Sequence, residues 1–194
     1  MLSIHYIPPH SQYVINETDS LFWCFYILKE GYKSYEIPGN VSFTTEKEQK
    51  YKCIDKIKNS FFLLKQHKIK NSNCEIEDDI ANNSTISIKT FIALCLSFDI
   101  EIFFIEKNKY FETKPNPINV VFYENSIATI LHNADIEKYY SKYYKWDNIS
   151  RPIKAISGYT RQDLFSICDK LGLIESISLL TKSDLYNMLS LHIT

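Results

Sequence analysis

Eight uncharged and mostly large residues at positions 21–28, Leu-Phe-Trp-Cys-Phe-Tyr-Ile-Leu, follow Thr18, Asp19 and Ser20 and precede Gly31. Thr, Asp and Ser accept hydrogen bonds from the unpaired N–H groups of a first helical turn, and glycine takes the left-handed backbone that closes a helix. The stretch therefore reads as one capped helix. It is apolar on every face and has no side to give to water, so the rest of the chain must surround it. Its N-terminus presents free N–H groups and the positive end of the helix dipole, a setting that stabilises a thiolate.

Such a sheath needs apolar material, and the 194 residues supply it: 45% are hydrophobic and 14% aromatic, with 14 Tyr and 12 Phe. That suffices for one substantial core with a small appendage and is too apolar for a disordered chain. Only 4 Gly and 6 Pro leave little for flexible linkers. Abundant Ile, Asn, Lys and Tyr, with arginine only at Arg151 and Arg161, reflect an AT-rich coding bias. A formal net charge of -1 argues against a protein held to nucleic acid by bulk electrostatics, while leaving room for a local patch. The cysteines, Cys24, Cys53, Cys74, Cys95 and Cys168, are odd in number and scattered, with no C-x-x-C pair. They point to a reducing compartment rather than to structural zinc or a disulfide framework. Residues 1–13 lack the basic and apolar regions of a secretory signal, and no apolar run reaches the roughly 20 residues that cross a membrane. The expectation is a chain that is neither secreted nor membrane-inserted and that uses no cofactor or metal.

Residues 1–16 alternate apolar and polar around Pro8 and Pro9, the pattern of an edge strand or extended arm. After a turn at Pro38-Gly39-Asn40, Tyr51, Ile54, Ile57, Phe61, Phe62 and Leu64 recur at helical spacing. They predict a helix over residues 44–65 whose interleaved lysines form a solvated face. The acidic cluster Glu75, Glu77, Asp78 and Asp79 lacks calcium-loop spacing and reads as a loop or helix start. Residues 84–87 introduce a second buried helix over residues 88–98. Residues 100–106, 110–112, 118–123 and 127–131 are β-rich runs separated by short turns, which predicts an antiparallel meander. The plan is α+β, with helices on one side of a mostly antiparallel sheet. Tyr139, Tyr140, Tyr143, Tyr144 and Trp146 predict a further helix laid back on the domain. Residues 1–150 then form the main domain, 151–158 a hinge, and 159–194 a module of two helices capped by Thr160 and Thr181 and separated by Gly172 and an extended loop.

The order of elements and the string Glu17-Thr18-Asp19-Ser20-Leu21-Phe22-Trp23 resemble the ovarian-tumour (OTU) family of papain-like cysteine proteases, which are deubiquitinases. Their helix opens with an Asp-x-x-Cys-Leu-Phe-like motif. They also have a helix running into a buried strand, as residues 87–105 do, and strands ending in a His followed by an aromatic residue. The resemblance spans residues 15–132 and implies a papain-like scaffold. Within it Ser20 stands where the family has its nucleophilic Cys, Glu17 where it has Asp, and the family's His falls near Asn125 or Ser126. A serine without a base does not ionise. Three readings follow: Ser20 was engineered from Cys, Cys24 and His132 form the catalytic pair, or the scaffold has lost its chemistry. Cys24 lies one helical turn beyond Ser20 in apolar surroundings, where a thiol packs as a small hydrophobe. His132, at a strand end beside Asn133 and Asp135, is the candidate base. His5, His10, His67 and His192 have no local partner, and no Gly-rich phosphate loop, H-E-x-x-H or G-x-S-x-G element occurs.

Residues 159–193 resemble the helix–loop–helix modules of the SAP and Rho-N type through Leu164, Ile167, Leu171, Gly172, Leu173, Lys182, Asp184 and Leu185. That resemblance implies DNA or RNA binding through Arg161, Lys170 and Lys182, which Asp163, Asp169, Glu175 and Asp184 offset. AT-rich composition, papain-like scaffold and terminal module together resemble proteins of large DNA viruses. The leading expectation is a non-catalytic OTU-like scaffold of the host cytoplasm or virion, binding ubiquitin or a viral structural protein. The alternatives are a deubiquitinase using Cys24 or a mutated position 20, and nucleic-acid binding through residues 159–194.

Overall fold

A computed structural model describes residues 12–70, 74–132, 134–174 and 180–193. Of the edge strand or arm expected over residues 1–16, residues 1–11, with His5 and His10, lie outside the described residues, as do Asn133 and Glu175. Within the remainder, β1 (Gln12–Ile15) is an edge strand of the sheet. The predicted rod follows as α1 (Ser20–Glu30), with the Asp19 carboxylate accepting from Phe22 N and the Gly31 N–H bonding to Ile27 O at 2.8 Å. Every residue from Ser20 to Ile27 is buried. Burying a large apolar side chain contributes about 2 kcal/mol, so Phe22, Trp23 and Phe25 make α1 the axis of the core.

α2 (Tyr32–Glu36) folds back beside α1. The helix predicted over residues 44–65 is two helices, α3 (Phe43–Asn59) and α4 (Phe61–Gln66), because Ser60 Oγ donates to Lys56 O at 2.7 Å and the chain turns there. The acidic cluster forms α5 (Glu75–Asn82), and α6 (Ile88–Ser97) is, like α1, buried almost all round.

The strands that follow depart from the predicted meander. β2 (Ile102–Glu106), β3 (Lys109–Glu112), β4 (Asn119–Glu124) and β5 (Ile127–Leu131), with the short β6 (Tyr144–Lys145), make a mixed six-stranded sheet in the order β1-β5-β4-β2-β3-β6. β2 pairs parallel with β4, and β3 parallel with β6; the other neighbours are antiparallel. The chain leaving β3 passes the start of β2 and is held there by Thr113. Its Oγ1 accepts from Ile102 N at 3.0 Å and donates to Ile100 O at 3.1 Å. Ile102, Phe104, Val121, Ala128 and Ile130 face the helices α1 to α6, whereas Phe103, Ile105 and Val120 face the other way. That second face is covered by α7 (Glu137–Lys142) through Tyr139 and by Tyr143 just past its end, so the helices do not lie on one side only. Burial on both faces explains why β2 is apolar without alternation.

A third core belongs to α8 (Arg161–Lys170) and α9 (Lys182–Ile193), built on Leu164, Cys168, Leu185, Leu189 and Ile193. Thr160 and Asp163 form a reciprocal capping box on α8. Between this core and β6 lies a 3-10 turn (Ile156–Gly158), and the Lys154 N–H and C=O are bonded by the hydroxyls of Tyr159 and Tyr186. Among the described residues, no helix is long and apolar enough to cross a membrane.

Candidate functional site

The first turn of α1 is closed by buried polar contacts. Asp19, 1% exposed, accepts from Phe22 N at 3.1 Å and from Ile86 N at 3.0 Å, and pairs with Lys50 Nζ at 2.6 Å. Burial pushes the Asp19 carboxyl upward, against the lowering by Lys50 and the two amides. Lys50 also pairs with Glu46, whose other oxygen accepts from Trp23 Nε1 at 2.9 Å. The dipole's positive end is therefore already occupied by a carboxylate of this chain.

Ser20 is 3% exposed and its hydroxyl is used twice. It donates to Ser126 O at 2.8 Å and accepts from Ala128 N at 3.1 Å. Both partners belong to the β4–β5 hairpin, whose turn residues Asn125 and Ser126 have φ +51 and +64. Ser20 thus ties α1 to this hairpin.

Cys24 is fully buried, and burial pushes its thiol far above the ordinary range, so no thiolate forms there near neutral pH. His132 lies at the end of β5 and hydrogen-bonds through Nε2 to the Tyr32 hydroxyl at 2.7 Å. Burial lowers His132 and raises Tyr32. Ser20 meets the start of β5 while Tyr32 follows the end of α1, so Ser20 and His132 sit at opposite ends of an 11-residue helix, about 16 Å long. The structure does not bring these two together, and among the described residues no hydrogen bond joins Cys24 to His132, the pair proposed from the sequence, whose imidazole bonds Tyr32 instead. Tyr32 and His132 instead share a cavity of about 470 Å³ with Asp99, Glu101 and Asn119. Sequence reasoning missed Tyr32, a partner exactly one hundred residues away in the chain with no local signal. Glu17 has one buried oxygen, Oε2, without a hydrogen-bond partner; burial, with the Glu17 carboxylate beside it, pushes Tyr35 upward.

Next to this closed turn runs a groove of about 660 Å³ lined by Asn16, Glu17, Val41, Phe43 and Lys47, in which Phe43 is 73% exposed.

The C-terminal cations do not converge. Arg161 Nε donates to Leu180 O at 2.9 Å, and Lys182 lies near Asp163, which the Thr160 amide and hydroxyl, with Lys154 and Lys182, hold below the usual carboxylate range. Lys170 stands at the far end of α8, ten residues long and hence about 15 Å. Among the described residues no group of acidic, His and Cys side chains could hold a metal.

Comparison of the chain with protein families, with curated proteins and with solved structures gives no match. The fold and site define an α+β protein with a mixed sheet around a buried helix.

Proposed function

We propose that the chain is a non-catalytic scaffold on the OTU-like plan that works by binding a protein partner, with residues 159–194 as a docking element. The contact between Ser20 and the carbonyl of Ser126 supports it most. The position at which the resembled family carries its nucleophile lies against the position near which it carries its imidazole. Neither group is present here, and the Ser20 hydroxyl is spent on backbone. With no base beside it, that hydroxyl has nowhere to send its proton. The adjoining groove, with the exposed Phe43 ring at its rim, offers apolar surface to a segment of a folded partner. Ubiquitin and a viral structural protein are the partners the resemblance and composition favour, in host cytoplasm or virion.

A ubiquitin active-site probe, which traps a reactive cysteine, tests this. The wild type, Ser20→Cys and Ser20→Cys combined with Ser126→His all stay unlabelled, because position 20 is 3% exposed in a closed turn, whereas unmodified ubiquitin binds the wild type and Phe43→Ala weakens that binding about tenfold. Labelling of the wild type at Cys24 would restore the deubiquitinase reading. Absent ubiquitin binding, or binding that Phe43→Ala leaves untouched, would remove the scaffold reading at this groove.

A further inference from the structure

The exit of α4 builds a basic groove far in sequence from the α1 site. Lys65, Lys68 and Lys70 line one side of a concavity of about 610 Å³ and Arg151 the other, over the buried Ile69. Among the described residues no carboxylate lines it, in a chain whose net charge is -1. None of the four cations makes an ion pair among the described residues.

The backbone holds one of these charges, Lys68, in place against its own preference. α4 closes with Lys68 N bonded to Lys65 O at 3.0 Å and Ile69 N to Leu64 O at 2.9 Å, which leaves Lys68 at φ +58. α8 closes in the same way on Gly172 at φ +67, and α6 on Asp99 at φ +57. Glycine is unstrained there, and Asp99 pairs with Lys114 at 2.8 Å. Lys68 combines a strained backbone with a charge that has no ion partner among the described residues. On the opposite wall Arg151 N bonds to Asn148 O at 2.9 Å, and the same carbonyl accepts from Nε1 of the buried Trp146 at 2.8 Å. Arg151 therefore departs from a turn anchored in the core. Phe61, 59% exposed, precedes Lys65 by one helical turn and sits on the same face of α4.

We propose that this groove binds single-stranded nucleic acid, the four cations meeting successive phosphates and the Phe61 ring stacking on an unpaired base. A duplex keeps its bases stacked inside and leaves the ring without a partner, and a phosphopeptide brings phosphate without a flat base. The site shares no residue with the α1 groove or with the cations of residues 159–194, so it stands independently of the function proposed above.

The experiment is fluorescence anisotropy of the full chain with a labelled oligothymidine of about 12 nucleotides. The wild type binds with a log–log salt slope near −3, about 0.7 for each of four phosphates. Lys68→Glu with Arg151→Glu weakens binding more than tenfold, and Phe61→Ala weakens it about tenfold while leaving the slope unchanged. Lys68→Gly raises the melting temperature yet weakens binding, which separates binding from folding. Replacing Arg161, Lys170 and Lys182 together has no effect. Oligonucleotide binding that is absent, that survives the groove variants, or that is lost with the C-terminal variant would overturn the proposal. So would tighter binding of duplex DNA, a mononucleotide or a phosphoserine peptide.

Discussion

Asp19 and Asp79 are both buried carboxylates, Asp19 capping α1 and Asp79 accepting from the Ser87 cap of α6, yet their titrations move in opposite directions. At Asp19 burial dominates and the carboxyl moves up. At Asp79, 9% exposed, burial also pushes upward, but Thr90 Oγ1, the Ser87 amide and hydroxyl and Asn83 Nδ2 all donate to it, and the net movement is downward. Ionised Asp79 thus stabilises the start of α6. That contribution is present above the unfolded carboxyl value of about 3.9 and is lost as pH falls through the lower folded value. Asp79→Asn should cost about 2 kcal/mol near neutral pH and progressively less in acid. Urea unfolding of both proteins across that range would read the difference, and a cost independent of pH would mean that the charge plays no part. The sequence placed Asp79 in a loop or helix start; Asn83 is a local donor, but the others, Ser87 and Thr90, belong to the cap and first turn of the next helix, which nothing local indicated.

Among elements, ends were easier to read than breaks. Asp19, Ser87, Thr160, Gly31 and Gly172 all act at the helix ends where their side chains or their lack of one predicted. Ser60 gave no such signal, because a serine bonding back to the preceding turn looks like any polar helix residue until the bend is seen. The β4–β5 hairpin has a two-residue turn with both residues left-handed, the geometry that favours Asn-Gly. Ser126→Gly keeps the carbonyl that Ser20 needs and removes a side chain from a strained position, so it should stabilise by about 1 kcal/mol. A melting temperature higher by about 3 °C is expected; a lower one would mean that the serine side chain supports the turn.

At the scale of the whole molecule, Lys109 links the sheet to the C-terminal core. Lys109 is 4% exposed, and its ammonium pairs with Glu106 at 2.6 Å, donates to Ile193 O at 2.7 Å and lies 4.7 Å from the centre of the Trp146 ring. Lys109→Ala leaves Glu106 uncompensated and should destabilise by about 3 kcal/mol. Hydrogen exchange should quicken in α9 while α6 stays protected; equal change in both would show that the two cores unfold as one. The sequence by itself determined the buried α1 rod, the α+β order, the two capped helices near the C-terminus and the edge character of β1, because periodicity, capping and turn chemistry act over a few residues. Only the tertiary structure decided that β4 runs parallel beside β2, that α7 covers the second face, that Ser20 is spent on a hairpin and that Lys68 and Arg151 share one groove. Those facts depend on residues brought together from distant parts of the chain, and burial, not local preference, selects which of them meet.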